Sequence, residues 1–247
     1  MSWTVVSTPN PAARARLFCV PYAGGGASIF KTWGKRLPEI EVLAIQLPGR
    51  ESRLRERPID AMDELVEQLA AAVAPELDRP FAVFGHSMGA LVGFELTRLL
   101  RRLGWPLPMC LFVSASRPPQ APQGDRLYNL DGDELVQVLR ELNGTPPDVL
   151  ELPELLELRL PVVRADFQVV DEYRYREEPP LECPISAFAG MRDEDASPDV
   201  MRGWSVQTSA SFSRRTLAGD HFFIVDEPAA VIGDIRAQML RPAASTA

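Results

Sequence analysis

The stretch FAVFGHSMGALVGFELTRLL, Phe81–Leu100, decides how the rest of the chain is read. An apolar run, Phe81–Phe84, gives way to Gly85-His86-Ser87-Met88-Gly89, after which apolar residues recur at helical spacing through Leu91, Phe94, Leu99 and Leu103. The pattern predicts a strand, a tight turn and a helix over 88–103. The pentapeptide matches G-x-S-x-G, in which a serine on a sharp strand-to-helix turn projects its oxygen above a sheet. Glycines flank that serine because side chains there would collide in so tight a turn. At the N-terminus of the next helix the dipole favours developing negative charge, which suits a nucleophile that passes through an oxyanion. A turn with no chemistry is the alternative; the strand and helix on either side weigh against it.

Outward from the turn, short β-rich runs predict strands at Arg16–Val20, Glu41–Gln46, Met109–Ser114, Ile185–Ala189 and Phe212–Ala218. Runs that are apolar at nearly every position suit parallel strands covered on both faces. Between the second and third strands, Met62, Leu65, Val66, Leu69 and Val73 mark a helix within Ala61–Leu77. Alternating strands and helices predict an α/β fold with a mostly parallel, doubly wound sheet. One region breaks the alternation. From Arg117 to Leu181 only Pro-punctuated, leucine-rich helical segments occur, one opening on Asp131 as N-cap and ending at Gly144, another helical on both sides of Pro161. This reads as a helical lid, residues 117–181, inserted into a core made of 1–116 and 182–247. The tail RPAASTA is expected to fray.

The chain holds two histidines. His86 is adjacent to Ser87 on the turn, with its ring aimed away from the serine oxygen, so the base falls to His221, just after the last predicted strand. Chain order serine, acid, histidine is the order of strand-turn-helix serine hydrolases. A carboxylate that fixes the imidazole is expected after a strand between the two. The loop GMRDED after Ile185–Ala189 offers Asp193, with Asp195 in reserve. Two backbone amides for an oxyanion are expected from Met88 and from the glycine-rich loop PYAGGGAS, where Ala23 is the favoured donor. That loop is no phosphate cradle: Ile29 stands where G-x-G-x-x-G needs its last glycine, and no G-K-S/T follows. No cofactor and no metal are expected, because two histidines and scattered cysteines make no ligand cluster.

Composition narrows the class. Of 247 residues, 46% are hydrophobic and 24% charged, an ordinary globular balance, and the net charge of −8 argues against nucleic acid as the main partner. No run approaches a membrane span and the N-terminus lacks the order of a signal peptide, so a cytoplasmic location is expected. Cys19, Cys110 and Cys183, odd in number and without paired spacing, read as buried free thiols.

With these residues in place, the stretches LFCVPYAGGGAS, LPGRESRLRERP, FGHSMGALVGFEL, SASRPP, CPISAFAGMRDED and AGDHFF resemble, in order and spacing, the type II thioesterases of polyketide and nonribosomal peptide biosynthesis, which are α/β hydrolases. The segment LPVVRADFQVVDEYRY, starting at Leu160, belongs to the same likeness. The resemblance implies Ser87, Asp193 and His221 as triad, Met88 and Ala23 as oxyanion donors, and the insert as lid. It implies acyl thioesters on the phosphopantetheine arm of acyl or peptidyl carrier proteins as substrates, and an editing role that clears stalled acyl units. Two departures stand out: Tyr22 where many relatives have His, and Asp220 beside His221 where many have Gly. Arg50, Arg53, Arg55 and Arg57 form a basic loop that either docks an acidic carrier or is a solvated loop with Glu51 and Glu56 as partners. A general carboxylester hydrolase and a binding module without activity are the competing classes.

Overall fold

The computed structural model describes residues 2–123, 127–142, 144 and 152–241, so the tail from 242 onward lies outside the described residues. Seven strands form one sheet: β1 Thr4–Val5, β2 Ala15–Val20, β3 Ile40–Ile45, β4 Phe81–His86, β5 Leu111–Ser114, β6 Ile185–Gly190 and β7 Phe212–Leu217. Their order is β1-β3-β2-β4-β5-β6-β7, parallel throughout except for β1, which pairs antiparallel with β3. All six expected strands are present, with ends shifted by up to two residues. The fold is the doubly wound α/β sheet of the α/β hydrolases, with a helical lid insertion.

Continuous apolarity in the strands has the expected cause. Successive side chains point to opposite faces, so Phe18, Val20, Phe81, Val83, Leu111 and Val113 enter one core while Leu17, Cys19, Ala82, Phe84 and Phe112 enter the other. The first core is roofed by α2 Met62–Val73, which buries one apolar side through Leu65, Val66 and Leu69, and by α3 Met88–Arg102, which is buried over most of its surface. The second is closed by the short α1 Trp33–Arg36, which follows a single turn at Ala27–Phe30, and later by the C-terminal helix described below. Burying each large apolar side chain contributes about 1.5–3 kcal/mol. Cys19, Cys110 and Cys183 lie in these cores as free thiols, and burial raises the pKa of each; Cys183 is pushed up to about 11.

Between β5 and β6 the described residues hold a turn at Leu127–Asn129, α4 Gly132–Leu142 and α5 Pro153–Asp171, with no strand. Asp131 caps α4 reciprocally: its Oδ1 accepts the Glu134 amide at 2.9 Å while Glu134 Oε2 accepts the Asp131 amide at 3.1 Å. Helix α5 runs unbroken through Pro161, which sits on its exposed side. Leu135, Leu139 and Val163 give the insertion a small apolar core of its own. After β6 come α6 Pro198–Met201, then α7 Phe223–Asp226 and α8 Pro228–Met239. Helix α8, which the sequence pattern did not predict, seats Val231, Ile232, Ile235 and Met239 on the sheet. No helix among the described residues is long and apolar enough to cross a membrane.

The chain leaves β2 toward β3 on one side, crosses back, and continues through β4 on the other. The switch point between β2 and β4 is where doubly wound sheets bind ligands, and Ala23 and Ser87 follow these two strands. Helix α3 starts so close to the end of β2 that a Cβ on Gly89 would lie 2.3 Å from the Val20 carbonyl oxygen and 2.6 Å from that of Pro21. Both obstacles are backbone, which cannot yield as a side chain would. Gly89→Ala is therefore expected to lower stability by about 1–3 kcal/mol; a variant with an unchanged melting temperature would contradict this packing.

Candidate active site

Ser87 sits at φ 54°, ψ −120°, a strained conformation for a residue with a side chain. Its amide donates to the Ser114 carbonyl of β5 at 2.8 Å, and its carbonyl accepts the Ala90 amide at 2.9 Å, so the turn is pinned on both sides. A Cβ on Gly85 would meet the Gly89 carbonyl oxygen at 2.0 Å, which is why the turn needs glycine at both ends. Three loops at the carboxyl ends of β4, β6 and β7 then converge. His221 Nε2 lies 3.0 Å from Ser87 Oγ, and His221 Nδ1 lies 2.9 Å from Asp193 Oδ2. A carboxylate only accepts when ionised, so Nδ1 carries the proton and Nε2 is left to accept from the serine hydroxyl.

Asp193 is itself held. Its Oδ1 accepts the amides of Asp195 at 3.1 Å and Ala196 at 2.9 Å, and the side chain is buried. Burial alone would raise its pKa; the hydrogen bond and charge of His221 and the two amides outweigh it, and the carboxyl titrates below its ordinary value. Asp195 points elsewhere, 58% exposed and paired with Arg117 at 3.1 Å. Asp220 Oδ1 accepts the Phe222 amide at 3.0 Å, so its carboxylate shapes the turn that presents His221. The acid and histidine loops are stitched by Met191 N to Leu217 O, 2.8 Å, and Arg192 N to Gly219 O, 2.9 Å.

A second serine–histidine contact lies beneath the first. His86 Nδ1 and Ser114 Oγ, on paired positions of β4 and β5, are 2.9 Å apart, but both residues are fully buried and no substrate reaches them. Burial, then the neighbouring His221, drives the His86 pKa well below its usual value, against the opposite pull of the His221 backbone and Asp193. Tyr22 packs edge-on against His86 and Phe222, with ring centroids 5.8 and 4.9 Å away.

Ser87 and His221 stand where two cavities meet. One, of about 190 Å³, is lined by Tyr22, Gly24, Ile29, Leu139, Leu156 and Phe222; the other, of about 130 Å³, by Met88, Leu91, Leu127 and Val170. Ala23, Leu142 and Phe167 are common to both. Ala23 and Met88 line the smaller cavity together with Ser87.

Residues 15–239 match the thioesterase domain family. The chain belongs to that family. Among relatives of this thioesterase, the gramicidin S biosynthesis protein GrsT of Aneurinibacillus migulanus is 46% identical over 226 residues, spanning 91% of this chain and 88% of that protein. Among solved structures, the RedJ thioesterase of the prodiginine pathway in Streptomyces coelicolor superimposes with a TM-score of 0.87 at 42% identity, covering 92% of this chain and 91% of that one. The type II thioesterase BorB of the borrelidin cluster gives 0.88 at 38% identity, with 96% and 97% covered. The chain is a type II thioesterase of the α/β-hydrolase superfamily, an enzyme with serine-hydrolase residues.

The basic loop departs from its solvent-facing reading in this thioesterase. Arg50 and Arg53 are buried, and only Arg55 and Arg57 are exposed. Arg53 donates to the Gln46 carbonyl at 2.9 Å, pairs with Glu56, and stacks over Trp3 at 4.3 Å. Arg50 forms a two-pronged pair with Asp166 of α5, at 2.6 and 2.8 Å. These two guanidiniums are structural, so they present no charge to a docking partner. Asp166 went unnoticed in the sequence although the signal was there: it shares the buried side of α5 with Val162 and Val169, four residues after one and three before the other. An acid on an apolar stripe needs a partner.

Two expectations follow for the thioesterase. Asp193→Asn should lower kcat about 10³–10⁴-fold, whereas Asp195→Asn should stay within a few-fold of wild type; the reverse ranking in steady-state ester hydrolysis would exchange their roles. The unfolded chain binds a proton at His86 near pH 6.5 that the folded chain refuses, so stability is full above pH 6.5 and falls below it. The slope is at most about 1.4 kcal/mol per pH unit. Urea unfolding at pH 7.5 and 5.0 should show a smaller loss for His86→Asn than for wild type; equal losses would contradict a neutral buried His86.

Proposed function

We propose that this enzyme hydrolyses acyl groups from the phosphopantetheine arm of acyl or peptidyl carrier proteins, as an editing thioesterase of polyketide or nonribosomal peptide assembly, with Ser87, His221 and Asp193 as its triad. The observation that carries the reading is the continuous line from Asp193 Oδ2 through His221 to Ser87 Oγ, 2.9 and 3.0 Å long, opening onto two cavities. An acyl thioester extends both ways from its carbonyl, and two cavities meeting at the serine suit an acyl group on one side and a thiol arm on the other. We take residues 117–181 as the lid over them, on a core of 1–116 and 182–247. The family likeness, and the synthesis pathways named for GrsT, RedJ and BorB, support the carrier as partner.

In this mechanism Ser87 Oγ attacks the thioester carbonyl and passes its proton to His221 Nε2. Asp193 holds the imidazole in the right tautomer and stabilises the imidazolium. The oxyanion rests on the Met88 and Ala23 amides, each such donor being worth about 100- to 1,000-fold in rate. The carbon–sulfur bond then breaks; a thiol with a pKa near ~8.5 leaves readily, and the departing sulfur takes the proton from His221, which is neutral again. Water, losing a proton to His221, attacks the acyl-serine, and the free acid departs as Ser87 regains its hydrogen.

Mass spectrometry of an acyl-loaded carrier protein tests this directly. Wild type is expected to remove the acyl mass and Ser87→Ala to leave it in place. An untouched carrier beside a rapidly cleaved nitrophenyl ester would overturn the carrier assignment in favour of a carboxylester hydrolase.

A further inference from the structure

The oxyanion loop is held by a charge pair whose acidic half comes from the lid. Asp166 Oδ2 accepts the Gly24 amide at 2.7 Å, while Arg50 Nη1 donates both to that same Oδ2, at 2.6 Å, and to the Gly25 carbonyl at 3.0 Å. Arg50 Nη2 closes the pair on Asp166 Oδ1 at 2.8 Å, and its Nε donates to the Pro48 carbonyl at 3.2 Å. Gln46, also fully buried, adds a third anchor, accepting the Ala27 amide at 3.1 Å and donating to the Arg50 carbonyl at 3.0 Å.

The consequence for Ala23 follows from peptide geometry. An amide N–H and the carbonyl before it belong to one rigid plane and point in opposite directions when trans. The Ala23 N–H therefore points away from the Tyr22 oxygen, which accepts the Gly25 amide at 2.9 Å. The next plane along the chain is fixed by Asp166 at the Gly24 amide, and the plane after Gly25 is fixed by Arg50 at the Gly25 carbonyl. With the planes around it held, the Ala23 amide has one direction. Two of the holding groups are the partners of one buried ion pair, and one of those sits on α5.

We propose that Arg50 and Asp166 are positioning residues that aim the Ala23 amide at the oxyanion and make that aim depend on α5 being seated. The proposal rests on the reading of Ala23 as an oxyanion donor. It predicts a specific kinetic defect: transition-state binding suffers, ground-state binding does not. A pair that only fastened the lid to the core would change neither the turnover of correctly folded enzyme nor its affinity for an oxyanion mimic.

The test is Arg50→Met with Asp166→Leu, because apolar groups of similar volume commonly replace a buried ion pair without loss of the fold. Turnover of a short-chain nitrophenyl ester is expressed per site labelled to completion by a fluorophosphonate. The expected result is a fall in kcat of about 10- to 100-fold, less than the loss of a whole donor, with KM within about threefold. The inhibition constant of an alkyl trifluoromethyl ketone, whose serine adduct carries an oxyanion, should rise by the factor that kcat/KM falls. Asp166→Asn, which keeps an acceptor for the Gly24 amide, should recover part of the loss. Wild-type kcat and wild-type ketone affinity in the double variant would overturn the proposal. If the double variant does not fold, Asp166→Asn carries the test: a reduced kcat with a matching rise in the ketone constant supports the proposal, and wild-type values of both overturn it. Ser87→Ala, run in parallel, separates the two readings: if it still hydrolyses the ester, the site reading itself fails, whereas an inactive Ser87→Ala beside a wild-type-like double variant removes the clamp alone.

Discussion

Everything at this site depends on holding Ser87 in a backbone conformation that it would not adopt by itself. Left-handed φ on a residue with a side chain costs on the order of 1–3 kcal/mol, and it persists here because β4, α3 and the end of β2 are packed too tightly to relax. Gly85 and Gly89 make that approach possible, backbone against backbone, with no side chain between. Hydrogen bonds from the turn to Ser114 and Ala90 then remove the remaining freedom. The strain is local, whereas its support is the sheet and both of its apolar cores.

The two histidines show how far environment decides chemistry. Both lie within one aromatic cluster, with ring centroids 5.5 Å apart. His86 faces a serine hydroxyl in a dry interior and is kept neutral. His221 is partly open to a cavity and has an ionised carboxylate behind it. Only the second arrangement can both take a proton from a serine and stabilise the charge that results. Asp193 can serve it because its other oxygen is satisfied by two amides of its own loop, which keeps it ionised despite burial.

Much of this was legible in the sequence, and the reasons are physical. A strand buried on both faces writes itself as an unbroken apolar run, which made β2, β3, β4, β5 and β6 readable; the edge strand β7, largely exposed, was read from its β-favouring residues instead. The elbow, the GMRDED loop and the loop around His221 each follow a parallel strand, so their convergence follows from the fold. Strand β1 escaped because two residues carry no periodicity, and its place is set by pairing with Ile45 and Ala44 far along the chain. Helix α8 escaped because its alanines dilute the apolar contrast, although Val231, Ile232 and Ile235 hold the buried positions. Arg50 and Arg53 read as surface because charge ordinarily is. Their burial depends on Asp166, 116 residues beyond Arg50, and on Trp3, and no local pattern announces partners so distant.

The wide spacing of the proposed triad has a consequence for how activity arises during folding. Ser87 and His221 are 134 residues apart in the chain, and the histidine follows the edge strand β7. In the finished sheet β7 is joined to β4 only through β6 and β5, so the base faces the serine only when all four strands are paired. Parallel pairings of such long range are slow to form, because loop closure must precede the contacts that reward it. A ribosome-bound chain that has exposed only its N-terminal half thus holds Ser87 without the histidine that faces it in the finished fold.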